Sequence, residues 1–142
     1  MLRGEFPSAG RKTPAALREA YERRLRETVE ATGVDAAAEE SGVDRGTLRA
    51  LANGESPELT LEAAAAVLAI EDGSPPADVV AAEARDVLLL GMTRAVVDVD
   101  AVASHVDAEL EPREIQQKVE GRAPMTLTEY AHVHQFVEET VR

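Results

Sequence analysis

Three histidines, 27 acidic residues and no cysteine are the raw material for covalent or metal-assisted chemistry in this 142-residue chain. His132 and His134 are two residues apart. On a helix that spacing turns them about 200° from each other, so they cannot act together as an i, i+4 ligand couple does. His105 stands alone in sequence. There is no glycine-rich phosphate loop, no Gly-x-Ser-x-Gly elbow and no carboxylate pair in an apolar setting. The carboxylates read as a solvated face, and thiolate sites are excluded. The residues therefore predict no enzyme, no cofactor and no metal centre. What remains is non-covalent binding by polar side chains on short helices.

Those side chains need elements to hold them. Aromatics make up only 3% of the chain and Trp is absent, so Ala, Val, Leu and Ile must build the interior. Such a composition favours close-packed helices. Thr13-Pro14 is a cap followed by proline at the first helical position, and Leu17, Tyr21, Leu25 and Val29 recur at intervals of four. Gly33 stops that helix. Short helices are expected from Asp35 to Ser41, stopped by Gly42, and from Asp44 to Ala52, ended by Asn53-Gly54. Thr60 caps a further helix running toward Gly73. Ser74-Pro75 opens a second long helix, with Val80, Ala84, Val87 and Leu88 on one face and a bend at Gly91-Met92 where the repeats pack. Shorter helices follow at about 99–106, 112–119 and 127–141. Val96–Val99 is a weak strand candidate. Residues 1–12 read as a flexible leader.

The chain matches itself at an offset near 66. Val34-Asp35-Ala36 corresponds to Val99-Asp100-Ala101, Gly54 and Pro57 to Gly121 and Pro124, Thr60-Leu61 to Thr126-Leu127, and Thr28 to Thr93. The drift of the offset implies a two-residue insertion near Asp107–Leu110 and a one-residue deletion near Glu58. The expected architecture is all-α: two tandem helical units, 13–72 and 75–141, each bearing a helix-turn-helix, packed around a shared core.

In the first unit Ala38 precedes Gly42 by four residues, Val43 follows it, and Leu48, Leu51 and Gly54 come six, nine and twelve later. Small Ala38 lets the second short helix cross closely, Gly42 permits the positive φ of a sharp turn, Val43 plugs the corner, and the leucines hold the second helix to the core. Residues 34–70 on this pattern resemble the lambda-repressor-like helix-turn-helix family. The motif of the second unit, at 99–137, is a looser copy: Asp107 holds the turn-glycine position, and Leu110, Ile115 and Val119 supply the core. The whole chain also resembles an uncharacterised family of small haloarchaeal proteins. Its acidic surface and scarce lysine fit that likeness, since only Lys12 and Lys118 are lysines and the net charge is −12.

The repressor resemblance implies double-stranded DNA as partner and a role in transcription. It places Arg45, Thr47, Arg49 and Asn53 against a major groove, with Gln116, Gln117, Arg113 and Lys118 as counterparts in the second unit. Arginine can pair with guanine there and glutamine with adenine. Charge opposes this in dilute buffer, because residues 33–72 carry two basic groups against nine acidic ones. Molar salt shortens the Debye length to about 3 Å, leaving base contacts to select a site. Residues 1–32 are net positive, and Arg3, Arg11, Lys12, Arg18, Arg23, Arg24 and Arg26 are candidates to follow a phosphate strand. For Arg23 to Arg26 the preferred reading is pairing with Glu19, Glu22, Glu27 and Glu30 at helical spacing. The competing function is a non-enzymatic interaction or structural module, or a homodimer. In that reading Ala63–Ala66 and Leu88-Leu89-Leu90 cover a partner, unless they form the seam between the repeats. No apolar run approaches the ~18 residues of a membrane span and the start lacks a signal-peptide core, so a cytoplasmic protein is expected.

Overall fold

The computed structural model describes residue 6 and residues 8–106 and 109–141. After a 3-10 turn at Ala9–Arg11 come α1 (Pro14–Thr32), α2 (Val34–Ser41), α3 (Arg45–Ala52) and α4 (Leu61–Leu68). Then follow α5 (Ala77–Ala95), α6 (Val99–His105), α7 (Pro112–Val119) and α8 (Leu127–Val141). The fold is all-α, in two sets of four helices.

The stops and starts have local causes. The Thr13, Asp44, Thr60, Asp98 and Thr126 side chains accept the backbone N–H three residues on, satisfying donors that open each helix. The α7 start is closed by Glu114, whose carboxylate accepts the Glu111 N–H at 3.2 Å. Gly42 leaves α2 at φ 75°, a conformation that disfavours any residue with a Cβ. Val96 adopts φ 56° at the end of α5, and Val99 already begins α6. The strand considered at Val96–Val99 is therefore absent. α4 stops at Leu68, short of Gly73, in a series of turns.

Gly91 does not break α5. It is buried, and a Cβ there would lie 2.7 Å from Val137 Cγ2. The glycine lets α8 of the same unit approach, so the bend expected where the repeats meet is replaced by close packing within the second unit.

The two units grip each other reciprocally. α4 of the first packs on α5 of the second, and α8 of the second packs on α1 of the first. Between them Leu61 N–H donates to the Met125 carbonyl at 2.7 Å, and Leu127 N–H donates to the Leu59 carbonyl at 2.9 Å. Thr60 and Thr126 thus form an antiparallel bridge between matched positions of the repeat. A pair of equivalent segments can exchange hydrogen bonds in this way only about a local two-fold axis.

Burial fixes the register of the long helices. Leu17, Tyr21, Glu22, Leu25, Thr28 and Val29 are buried on α1; Val80, Ala84, Arg85, Leu88, Gly91 and Met92 are buried on α5. These six pairs share an offset of 63, as do the helix ends. The expected match of Thr28 with Thr93 is corrected: Thr28 is buried, Thr93 is exposed, and Gly91 is the true counterpart. The offset reaches 65 at α6 because three residues, Val96–Asp98, connect α5 to α6 where Gly33 alone connects α1 to α2. The insertion proposed at 107–110 begins at Asp107, which with its assigned turn role lies outside the described residues.

One core serves both sets. Tyr21 of α1 meets Tyr130 and His134 of α8 with ring centroids 5.6 and 6.2 Å apart, and Phe6 closes edge-on to Tyr21 at 5.0 Å. Ala64, Ala65 and Leu88 are buried in the seam, whereas Leu89 and Leu90 face outward.

Candidate nucleic-acid interface

The α2–α3 corner is built as the glycine and leucine spacing requires. Gly42 N–H returns to the Ala38 carbonyl at 2.9 Å, and Leu48 and Leu51 are wholly buried. Ala37 is the fully buried alanine of α2, and Ala38 is partly buried against the core. With Leu48 and Leu51 facing the core, helical geometry turns Arg45, Arg49 and Asn53 outward, one turn apart along a single face. All three are exposed. Thr47 is not on that face. It is half-buried beside Asp44, which accepts its N–H at 3.1 Å.

The three outward groups differ in freedom. Arg45 Nε lies 2.9 Å from Asp35 Oδ1 on α2, with both side chains largely in solvent. Such an exposed pair contributes little and is easily exchanged for another anion. Among the described residues the Arg49 and Asn53 side chains have no hydrogen bond or ion pair.

α7 occupies the same place in the second unit. Both helices end alike: Glu55 N–H reaches the Ala50 carbonyl at 3.0 Å, and Arg122 N–H reaches the Gln117 carbonyl at 2.8 Å. Gly54 and Gly121 follow with φ of 87° and 80°. This register, an offset of 67, sets Pro112 opposite Arg45, Glu114 opposite Thr47, Gln116 opposite Arg49 and Glu120 opposite Asn53. Gln116 donates to the Glu120 carboxylate, and Gln117 is half-buried. Lys118 is not an outward group: its ammonium meets Glu129 of α8 at 2.5 Å, with 16% of the side chain exposed. Arg113 remains exposed, between Glu111 and Glu114 in sequence.

Both short helices are held from behind by arginine. Arg26 Nε of α1 donates to the Leu51 carbonyl at 2.6 Å, and Arg85 Nε of α5 donates to the Lys118 carbonyl at 2.8 Å. Leu51 and Lys118 are equivalent positions, and a cation at a helix C-terminus is favoured by the helix dipole. The arginines themselves come from non-equivalent positions, since Arg26 matches Leu89 and Arg85 matches Glu22.

Arg85 also pairs with Glu62 on α4 of the first unit. Its mirror is Arg18, which donates to the Pro57 carbonyl at 3.1 Å and to Thr128 Oγ1 on α8 at 2.5 Å. Glu62 and Thr128 are equivalent. Each unit therefore sends one arginine from its long helix to the segment at or after its own short helix and to the partner unit's closing helix. Buried Glu22 joins this network, accepting from Ser56 Oγ at 2.9 Å; its contact with Arg18 Nε is an ion contact at 3.3 Å without good hydrogen-bond alignment.

The arginines proposed to follow phosphate are thus partly committed elsewhere. Arg18 does pair with Glu22 at helical spacing. Arg24 instead crosses to Glu71 at 2.5 Å and to Thr28, and this bond holds the Glu71 carboxyl below its ordinary range. Arg26 serves the α3 carbonyl. Arg11 and Arg23 are exposed, and Arg3 lies outside the described residues.

The histidines separate into two roles. His134 is buried, and burial lowers its pKa to about 3. The neutral ring shares a hydrogen bond of 2.6 Å between its Nδ1 and the Tyr21 hydroxyl. Burial likewise pushes the Tyr21 and Tyr130 phenols up, and Tyr130 donates to the Ala84 carbonyl at 2.7 Å. His105 and His132, distant in sequence, line one groove between α6 and α8. No group of three or more His, Asp or Glu suited to a metal occurs among the described residues. No helix among them is long and apolar enough to cross a membrane.

A family profile matches residues 17–140, from the first turn of α1 almost to the end of α8. The chain belongs to DUF5791, a family of unknown function. The DUF5791 match spans both repeats of this chain. That finding agrees with the expected likeness to an uncharacterised family. No curated protein and no solved structure matches the chain.

Proposed function

We propose that this chain binds double-stranded DNA, in a transcriptional role, by laying the outer face of α3 in the major groove. The observation that carries this reading is the free face itself. Arg49 and Asn53 stand one turn apart on a short helix whose inner leucines, glycine corner and Arg26 clamp fix its angle. A guanidinium there can pair with guanine, and an amide with adenine. Arg45 joins them when a phosphate or base replaces Asp35. Nothing about α3 suggests bond-making chemistry, and the reading is of a binding protein without catalytic function.

A second reading is a non-enzymatic interaction module. It is favoured by α7, where carboxylates stand at the equivalents of Thr47 and Asn53 and would repel a phosphate backbone. We therefore assign the DNA contact to the first unit alone and withdraw Gln116 and Gln117 from it.

The experiment is recovery of bound genomic DNA in molar potassium chloride, comparing the native chain with Arg45→Glu/Arg49→Glu. Enrichment of defined sites that the double variant loses supports the reading. No enrichment by either protein eliminates DNA as partner, and enrichment unchanged by the substitutions eliminates α3 as the reader.

A further inference from the structure

We infer that the groove between α6 and α8 is a binding site for a small aromatic carboxylic acid. The groove holds about 660 Å³ and is walled by Val97, Val106 and Phe136, with Pro14 of α1 at one edge. A smaller hollow of about 320 Å³ continues it past Pro14 and His132 toward Arg18 and Thr128. Sites of this size, mostly apolar with a few convergent polar groups, are where small ligands bind.

The repeat supplies an internal control. His105, His132 and Phe136 correspond to Glu40, Ala66 and Ile70 in the first unit. There α4 has ended at Leu68, and the one-residue link at Gly33 draws α2 in. In the second unit α8 runs on to Val141 and the longer link places Val97 in the wall. The chain owns two phenylalanines and three histidines. One of the former and two of the latter converge here.

Their chemistry selects the ligand. His105 Nδ1 donates to the Ala101 carbonyl at 2.8 Å, which leaves Nε2 for a ligand, and its ring stacks on Phe136 at 5.2 Å. The His132 ring is half-buried and has no hydrogen-bond partner among the described residues. Glu139, the carboxylate in the lining, is already bonded by Gln135 at 2.8 Å. An aromatic ring suits the apolar wall, and a carboxylate suits the imidazolium form of His105, whose Nε2 then carries a second proton, together with an N–H of the unpartnered His132 ring.

Phenylacetate and its uncharged analogue phenylacetamide, titrated into the full chain in molar potassium chloride, test this. Backbone amide NMR shifts should map to α6 and residues 132–140, with the amide binding about tenfold more weakly. His132→Gln and His105→Gln, each checked for native helix content, should weaken phenylacetate about tenfold, a loss of ~1.4 kcal/mol. Shifts elsewhere, no binding of phenylacetate, or equal binding by folded variants overturns the site. Equal binding of acid and amide overturns the ligand class, and that comparison needs no variant.

Discussion

α3 and α7 are the same piece of structure put to different uses. Each is eight residues long, leaves through the same backbone hydrogen bonds into a glycine of positive φ, and is held at the same carbonyl by an arginine. The outer faces diverge. α3 shows Arg45, Arg49 and Asn53 to solvent, whereas α7 shows Arg113 among Glu111, Glu114 and Glu120, with Gln116 tied to the last. Geometry held constant while charge changes sign separates scaffold from function: the inner leucines and clamps maintain the angle, and the outer residues decide what that angle is for.

The comparison breaks first at the core. Leu48→Ala and Ile115→Ala remove equivalent, wholly buried side chains, and each should cost about 3 kcal/mol. Because the units interlock, both should lower a single denaturation midpoint measured by circular dichroism. Two separate transitions, with one unit untouched, would show that the core is not shared.

Acid should come next. His134 sits at the seam with a folded pKa of about 3 against about 6.5 unfolded, so the folded state prefers the neutral ring. Its contribution is whole above the unfolded value and is lost as pH falls from 6.5 toward 3. At pH 4.5 about 2.5 kcal/mol should be gone. Glu71 adds a further loss only below the ordinary carboxylate range, its own pKa being depressed. Denaturant midpoints of the native chain and of His134→Phe across this window should diverge in slope. Parallel curves would remove His134 as the cause.

A smaller effect sharpens the clamps. Arg26→Leu copies the residue that the second unit carries at this position, Leu89, and should cost about 1 kcal/mol, the bond being only partly buried. The loss should appear as faster hydrogen exchange at the end of α3, with α7 unaffected. Exchange rising equally in both helices would contradict a local clamp. Gly54→Ala, at φ 87° with open space around it, should cost a similar ~1 kcal/mol.

Much of this was legible in residue order, because helices announce their ends locally. Thr13, Asp44 and Thr60 act as caps within three residues of themselves, and Gly42 turns α2 into α3 without help from elsewhere. Long-range partners carry no such signal. Tyr21 and His134 lie 113 residues apart, and nothing near either points to the other. Arg24 and Arg26 have glutamates at helical spacing yet reach Glu71 and the Leu51 carbonyl. The misregistered Thr28–Thr93 match has the same origin: identity of type drew the alignment, while burial against α4 and α8 sets the face. The groove between α6 and α8 was equally hidden, since it depends on a link two residues longer and a closing helix that runs further.

The most direct measurement is DNA affinity in molar potassium chloride for two charge reversals at matched places, Arg45→Glu/Arg49→Glu on α3 and Arg113→Glu/Gln116→Glu on α7. If α3 alone reads DNA, the first should weaken specific binding about 100-fold, as loss of two base-contacting groups at ~1–3 kcal/mol each implies. The second should change it less than about threefold, within the ±0.5 kcal/mol expected of surface substitutions away from a contact. Equal losses from both, or loss from α7 alone, would contradict the division of labour between the repeats.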